Sequence, residues 1–310
     1  MSDRNRHVVL GTGPAGLALV DELLARGHRV RAVNRSGRAA LPDGVELVTA
    51  DVTDAARLRE VVADAAVVYN CTHVPYQQQP DALPRIQRAL LAAVGEATLV
   101  TVETLNLYGP TGGVPMTEDT PFAATSRKGR VRAGIARRYL DAHRAGDVRV
   151  ALGMAADFFG PRTLVASLGA SVFPPALRGA NVAAFGDIDL PRSYTYVPDL
   201  ARGLATLGER DEAAGRLWHL PVAPARTTRQ VFDLIGEITG KPLDVDVVAE
   251  PRPWGPFDEA FMAEYAELFY WHTEPFVMDD SAFTAAFGVG ATPLPDALAA
   301  TVRWFAVSGS

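Results

Sequence analysis

The stretch His7-Val8-Val9-Leu10-Gly11-Thr12-Gly13-Pro14-Ala15-Gly16 decides how the rest of the chain is read. The short apolar run from His7 to Gly11 reads as a buried strand. Behind it, Leu17, Val20, Leu23 and Leu24 recur at helical spacing, so a helix is expected from Ala15 to Arg26, stopped by Gly27. The glycines between them fall as G-x-G-x-x-G, a pattern that gains meaning when a strand precedes it and a helix follows. Gly11 permits the tight turn, Gly13 lets backbone approach a pyrophosphate, and Gly16 allows the helix to pack close to the strand. With Thr12, Pro14 and Ala15 completing the turn, a dinucleotide's diphosphate would meet a helix N-terminus. Free N–H groups and the helix dipole favour negative charge there.

Which dinucleotide fits is decided at the end of the next strand, Arg29 to Asn34. An NAD site usually places an acid there to accept hydrogen bonds from the adenosine ribose. This chain has Asn34, followed by Arg35, Ser36 and Arg38. No carboxylate repels a 2′-phosphate and two guanidinium groups can grip one, so NADP(H) is expected in preference to NAD(H). Two solvated surface arginines are the alternative. After the third strand, Asp51 and the backbone of Val52 can read the edge of adenine, or Asp51 can cap the next helix. Cys71 and Thr72, after the fourth strand, complete the cofactor set. Nothing adjacent lowers the Cys71 thiol pKa, so it is read as a small buried packing residue.

Outward from this turn the alternation continues. A weak strand is expected at Val45 to Thr49, a helix at Ala55 to Ala65, a strand at Ala66 to Asn70 and a helix at Ala82 to Val94. The strand Thr98 to Glu103, the helix Arg130 to Arg144 and the strand Val148 to Gly153 follow. Strands alternating with helices of this length imply right-handed crossovers, hence an α/β fold with a doubly wound parallel sheet. Residues 1–155 form the expected dinucleotide domain. Prolines then interrupt the pattern, and residues 156–310 read as a smaller, mainly substrate-binding domain. Strands from about 193–220, at Ser193 to Val197 and Arg216 to Leu220, are expected to return to the first domain. Ser308-Gly309-Ser310 reads as a frayed end.

Composition sets outer limits. A chain of 310 residues with 48% hydrophobic and 21% charged residues is globular, and a formal charge of −6 gives no general attraction to polyanions. A small-molecule substrate is expected, with no nucleic acid. One cysteine excludes an internal disulfide and the common thiolate zinc sites, and no metal is expected. The polar opening is unlike a signal peptide, and no run reaches the ~18 apolar residues of a membrane span. The expected location is the cytoplasm, with no membrane partner.

These motifs resemble the short-chain dehydrogenase/reductase superfamily, in its extended branch of NAD(P)-dependent epimerases and dehydratases. The resemblance rests on the glycine turn, Asp51-Val52, the strand Val67 to Cys71, and Thr104 to Gly109. It extends through Asp157-Phe158-Phe159-Gly160-Pro161, Tyr196-Val197-Pro198-Asp199 and Trp304. It implies a Rossmann domain with an interleaved C-terminal substrate domain, and a homodimer paired through helices of the sheet layer as the assembly to test. Thr104, four residues before Tyr108-Gly109, stands where the family places a catalytic serine or threonine. The family's Tyr-x-x-x-Lys pair, however, aligns with Lys128 and Arg132, so the phenol is missing and the chain resembles the atypical members.

The i,i+4 spacing puts Lys128 and Arg132 on one helix face, where two adjacent cations would bring the lysine pKa toward the range of proton transfer. The alternative is a solvated basic helix, since five arginines accompany Lys128 between Arg127 and Arg138. His73, in the loop after the fourth strand, has a pKa suited to proton transfer, or else packs. Tyr108 is a further candidate acid, ranked below Thr104. Tyr76, Arg192, Tyr194 and Tyr196 are expected at the substrate cleft, Asp199 as a helix cap, and His219 as packing. The aromatic stretch Phe257 to Phe276 reads as a helix core face, an oligomer contact or an apolar substrate wall. Together these residues predict an NADP(H)-dependent oxidoreductase passing hydride to or from a carbonyl, imine or conjugated alkene. An epimerase- or dehydratase-type isomerase or lyase with tightly held cofactor, and a non-catalytic NADP(H)-sensing protein, are the other readings.

Overall fold

Seven short strands pair in parallel, the inner ones apolar enough to be covered on both faces. The computed structural model describes residues 6–255 and 257–308. Its first half runs β1 (Arg6–Leu10), α1 (Pro14–Ala25), β2 (Arg29–Asn34), β3 (Glu46–Thr49), α2 (Ala55–Val61), β4 (Ala65–Asn70) and α3 (Gln79–Ala93). It continues with β5 (Thr98–Thr104), α4 (Arg127–Arg144) and β6 (Arg149–Ala155). Val8, Val9 and Leu10 of β1 are wholly buried. Leu19 and Leu23 of α1 enter the core on one face of the sheet, while Leu58, Ile86 and Tyr139 of α2, α3 and α4 enter the core on the other.

The second half contains β7 (Asp157–Phe159), α5 (Phe173–Arg178), β8 (Val182–Phe185), β9 (Pro191–Arg192), β10 (Tyr194–Tyr196), α6 (Val197–Glu209) and β11 (Leu217–His219). Then come β12 (Arg226–Thr227), α7 (Thr228–Thr239), β13 (Val245–Val248), α8 (Glu259–Tyr265), α9 (Ser281–Phe287) and α10 (Leu294–Ser308). The large sheet has the order β11-β6-β5-β4-β1-β2-β3. Of the two strands expected to return to it, β11 does so, beside β6. β10 pairs instead with β7 in a separate two-stranded sheet, because the chain leaves the main sheet after Ala155 and takes its neighbour with it. No described helix is long and apolar enough to cross a membrane. The polar opening 1–5 and the final 309–310 lie outside the described residues, and Ser308 itself closes α10.

The order reverses between β1 and β4, and in open α/β sheets ligands bind in the crevice outside the carboxyl ends at such a reversal. The two strand ends are tied together there: Gly11 N–H donates to the Val33 carbonyl and Cys71 N–H to the Leu10 carbonyl, each at 2.8 Å.

At the opposite end of β1, buried His7 shares a hydrogen bond with the Tyr69 hydroxyl at 3.0 Å. Burial, then the charge of His28, bring its pKa down to about 4, with Glu209 opposing. The unfolded chain binds this proton near the ordinary 6.5, so the stabilisation is complete above pH 6.5 and is lost as pH falls from there through 4. Unfolding measured across that window is expected to lose ~2–3 kcal/mol. His7→Asn should flatten this part of the profile.

Candidate functional site

The glycine turn has the shape a pyrophosphate requires. Gly11 takes φ +98°, and a Cβ there would lie 2.6 Å from the Cys71 carbonyl oxygen; a Cβ on Gly16 would fall 1.9 Å from the Gly11 carbonyl oxygen. Both positions therefore exclude a side chain because backbone is already there. Gly13 differs: a Cβ would meet nothing within 4 Å. It stands as the N-cap of α1, with Pro14 following and no side chain capping the helix. The uncapped first turn, open above Gly13, fits an anionic group of the size a dinucleotide brings.

Asn34, at the end of β2, braces this turn. Its Nδ2 donates to Thr12 Oγ1 at 2.8 Å and to the Arg38 carbonyl at 2.9 Å, while its Oδ1 accepts from Gly37 N–H at 2.8 Å. Ser36 closes the same loop by donating to the Arg38 carbonyl. Arg35 and Arg38 are exposed, and neither guanidinium enters an ion pair among the described residues. Asp51 Oδ1 accepts from Thr53 N–H and Oγ1, both at 2.8 Å, which together with Arg35 lowers its pKa. Asp51 is not the helix cap: Asp54 caps α2, accepting from Ala56 and Arg57 N–H. Val52 is buried beside it, and Thr72 Oγ1 donates to Asn70 Oδ1 at 2.7 Å. Burial pushes the Cys71 thiol up to about 12, which leaves it a packing residue.

Beyond the carboxyl ends of β4, β5 and β6 lies a cavity of about 360 Å³, within the range of small-molecule clefts. Thr104, Arg132, His73 and Tyr76 all reach it, so four of the expected residues meet in one place. The Thr104 hydroxyl is buried and has no hydrogen-bond partner among the described residues. Arg132 donates to Glu103 Oε2 at 2.9 Å, and its Nε is buried without a partner. Burial pushes the Glu103 carboxyl up, with Arg132 opposing. His73 stands exposed at the rim, its pKa lowered by the surrounding protein and then by Arg132. Tyr76, its phenol pKa raised by burial, packs its ring against Phe261 and Tyr265.

Other expected residues lie elsewhere. Lys128 is wholly buried outside the cavity, its Nζ bonded to Glu264 Oε2, to Glu267 Oε1 at 2.7 Å and to the Glu264 carbonyl at 2.9 Å. Lys128 and Arg132 thus do not confront each other as bare cations, because each has its own carboxylate. Lys128 is a clamp between α4 and both the last turn of α8 and the aromatic segment that follows it. Lys128→Met strands two acids and is expected to cost on the order of 2 kcal/mol in unfolding, discounted because both carboxylates keep some water. Dinucleotide binding should be unchanged, which separates the clamp from a role in the site.

Tyr108 is also buried away from the cavity. His219 Nδ1 lies 2.9 Å from the Asp279 carbonyl, which can only accept, so Nδ1 carries the proton. Its Nε2 then accepts from the Tyr108 hydroxyl at 2.7 Å, and the phenol proton is committed. Arg192 lies behind the cavity, donating to the Trp271 carbonyl at 2.8 Å and standing 3.6 Å from Asp157. Tyr194 is in the core, bonded to Thr228 Oγ1 at 2.7 Å, and Tyr196 packs on Phe159. Asp199 is not a cap. It is buried in the first turn of α6, accepting from Thr292 N–H and Oγ1 at 2.7 Å.

The sequence reading missed Asp157 as a cavity residue, having it only within a family pattern, and missed Glu103 as the partner of Arg132. Glu103 is the one charged residue of β5, placed in a strand of the buried sheet, and that is the signal that could have found it. Phe257, Phe261, Tyr265, Trp271 and Phe276 all line the cavity, so the aromatic stretch is an apolar wall.

The sequence profile of the NAD dependent epimerase/dehydratase family matches residues 8–220. No protein of curated function matches the chain. A UDP-glucose 4-epimerase of Thermotoga maritima, solved with UDP-glucose, superposes with a TM-score of 0.78 at 18% identity, covering 98% of this chain and 100% of that one. A UDP-glucuronic acid 4-epimerase of Bacillus cereus, solved with NAD, gives 0.76 at 16% identity over 98% and 100% of the two chains. A dTDP-glucose 4,6-dehydratase of Streptomyces venezuelae, also with NAD, gives 0.77 at 18% over 97% of each. At these identities the likeness concerns the fold.

Proposed function

The chain belongs to the NAD dependent epimerase/dehydratase family, and from that premise we propose that it is an NADP(H)-dependent oxidoreductase acting on a small organic molecule in the cavity beside Thr104. The observation that carries this reading is the Thr104 hydroxyl, buried and without a partner where β5 ends at the cavity. A buried donor left unpaired costs stability, and a substrate heteroatom would supply the missing acceptor.

The uncapped first turn of α1 would receive the pyrophosphate, Asn34 holds the following loop in place, and Arg35 and Arg38 would grip the 2′-phosphate. When bound, the nicotinamide would supply or accept hydride. Thr104 polarises the substrate heteroatom, and Arg132, held in direction by Glu103, offers its free Nε–H on the same side. His73, neutral at pH 7 because its pKa is lowered, exchanges protons between the rim and solvent. The position of the family's tyrosine holds Lys128, clamped away from the cavity, so no phenol acid stands there. Reduction of C=N or conjugated C=C makes less demand on such an acid than reduction of C=O does.

The test is loss of NADPH absorbance with a panel of imines, enones and carbonyl compounds. Retention of cofactor through purification with no net NADPH oxidation would instead place the chain in the isomerase or lyase class. Arg35→Ala and Arg38→Ala are each expected to weaken NADPH binding about 10- to 100-fold, the worth of charge-assisted hydrogen bonds. NADH binding, read by calorimetry, should change little. Equal losses for the two cofactors would remove the assignment of these arginines.

A further inference from the structure

We propose that the cavity beside Thr104 takes an uncharged, flat, largely apolar molecule bearing one hydroxyl group, and rejects sugars carried on a nucleoside diphosphate. The inference rests on the reading of this cavity as the substrate site.

Its walls come first. Eight of the lining residues are aromatic. Phe261 and Tyr265 stack with ring planes 24° apart and centroids at 5.5 Å, and Tyr76 meets Phe261 edge-on at 5.7 Å. Rings fixed in this way present planes that favour another flat, apolar body. The rim continues the character: Val165, which lines the cavity, is 80% exposed. Apolar surface left open at a cavity mouth is what a bound apolar molecule would cover.

Charge gives the exclusion. Among the lining residues, Arg132 is the one permanent cation and Asp157 the one carboxylate. Arg132 is already bonded to buried Glu103, Asp157 has Arg192 behind it at 3.6 Å, and Lys128 is taken by Glu264 and Glu267. Each of these cations thus already has a carboxylate beside it, and what Arg132 keeps open toward the cavity is a single Nε–H. A diphosphate entering here would lose its hydration without gaining a cation, and would face Asp157.

One corner is polar in a directed way. Arg192 can only donate, so His272 Nδ1 accepts from it; His272 Nε2 then carries the proton and donates to the Tyr265 oxygen at 2.6 Å. The Tyr265 proton is therefore directed to the Ser167 side chain, with which Tyr265 is hydrogen-bonded, beside Asp157. Asp157 already accepts from the Ser167 hydroxyl and from backbone N–H groups of Phe158 and Ser167, and its buried Oδ2, which faces Arg192 at 3.6 Å, makes no hydrogen bond among the described residues. A single ligand hydroxyl donating to Asp157 Oδ2 completes this corner.

The test is calorimetric titration of the full chain, with and without NADP⁺, using 6-hydroxy-2-naphthaldehyde, 2-naphthaldehyde and UDP-glucose. The hydroxylated aldehyde is expected to bind about tenfold more tightly than its parent, the worth of one hydrogen bond to a charged group. UDP-glucose is expected to bind at least ~100-fold more weakly than either. Asp157→Asn should narrow the gap between the two aldehydes, and Phe261→Ala should weaken both. Binding of UDP-glucose as tight as that of the aldehydes, no effect of the hydroxyl, or no binding of either aldehyde overturns the proposal. Because binding is read without turnover, failure to oxidise NADPH with the expected order of affinities intact would count against the hydride-transfer reading alone.

Discussion

Thr104→Val is expected to slow NADPH oxidation by about 100-fold with any substrate that the unaltered protein reduces, the usual cost of removing one positioned donor from a developing negative charge. The same variant should be at least as stable as the parent. The Thr104 hydroxyl is buried with no partner, so exchanging it for a methyl group of nearly the same shape removes a desolvation penalty and breaks no bond. A hydroxyl that merely supported β5 would show the opposite pattern, with stability falling and rate unaffected. Stopped-flow rates together with thermal unfolding of the one variant separate the two cases.

Gly13→Asp is expected to abolish dinucleotide binding while leaving the fold intact or slightly more stable. A Cβ at Gly13 meets nothing within 4 Å, and the residue is the N-cap of α1, where no side chain now satisfies the first-turn N–H groups. Aspartate is among the best residues for that place, and exchanging glycine for it is worth about a few tenths of a kcal/mol. Its carboxylate would also occupy the space assigned to the pyrophosphate and repel it. Affinity for NADPH should fall by more than ~100-fold, equivalent to ~2.7 kcal/mol. Gly11→Ala and Gly16→Ala lack this contrast, because each drives a Cβ into backbone and disturbs the turn itself.

The parts of the molecule that follow local rules were legible in the sequence. The glycine turn, the strand Arg29 to Asn34 and the parallel alternation through β6 depend on spacing within a few residues, and they appear where that spacing puts them. Helix starts were less accurate: α4 begins at Arg127, earlier than Arg130, because Ser126 caps it by accepting from Gly129 N–H. The site divided along the same line. Thr104 and Arg132 sit on elements of the sheet layer, so their position follows from the topology. The role of Lys128 was not legible because its two carboxylates lie 136 and 139 residues away, on a segment whose packing no local pattern reveals. Arg192 and Tyr194 were placed at the cleft for their chemistry, yet β9 and β10 turn them toward Trp271, His272 and Thr228. The aromatic wall was visible as composition, and only the fold shows that it faces Tyr76 across a cavity.

The central claim is that the turn at Gly11 to Gly16 and the arginines after β2 hold a 2′-phosphorylated nicotinamide dinucleotide. Calorimetric titration of the full chain with NADPH and NADH tests it most directly. NADPH should bind at least about tenfold more tightly than NADH, as one charge-assisted contact to the extra phosphate requires. Equal affinities would contradict the assignment of Arg35 and Arg38, and absence of binding by both would contradict the account as a whole.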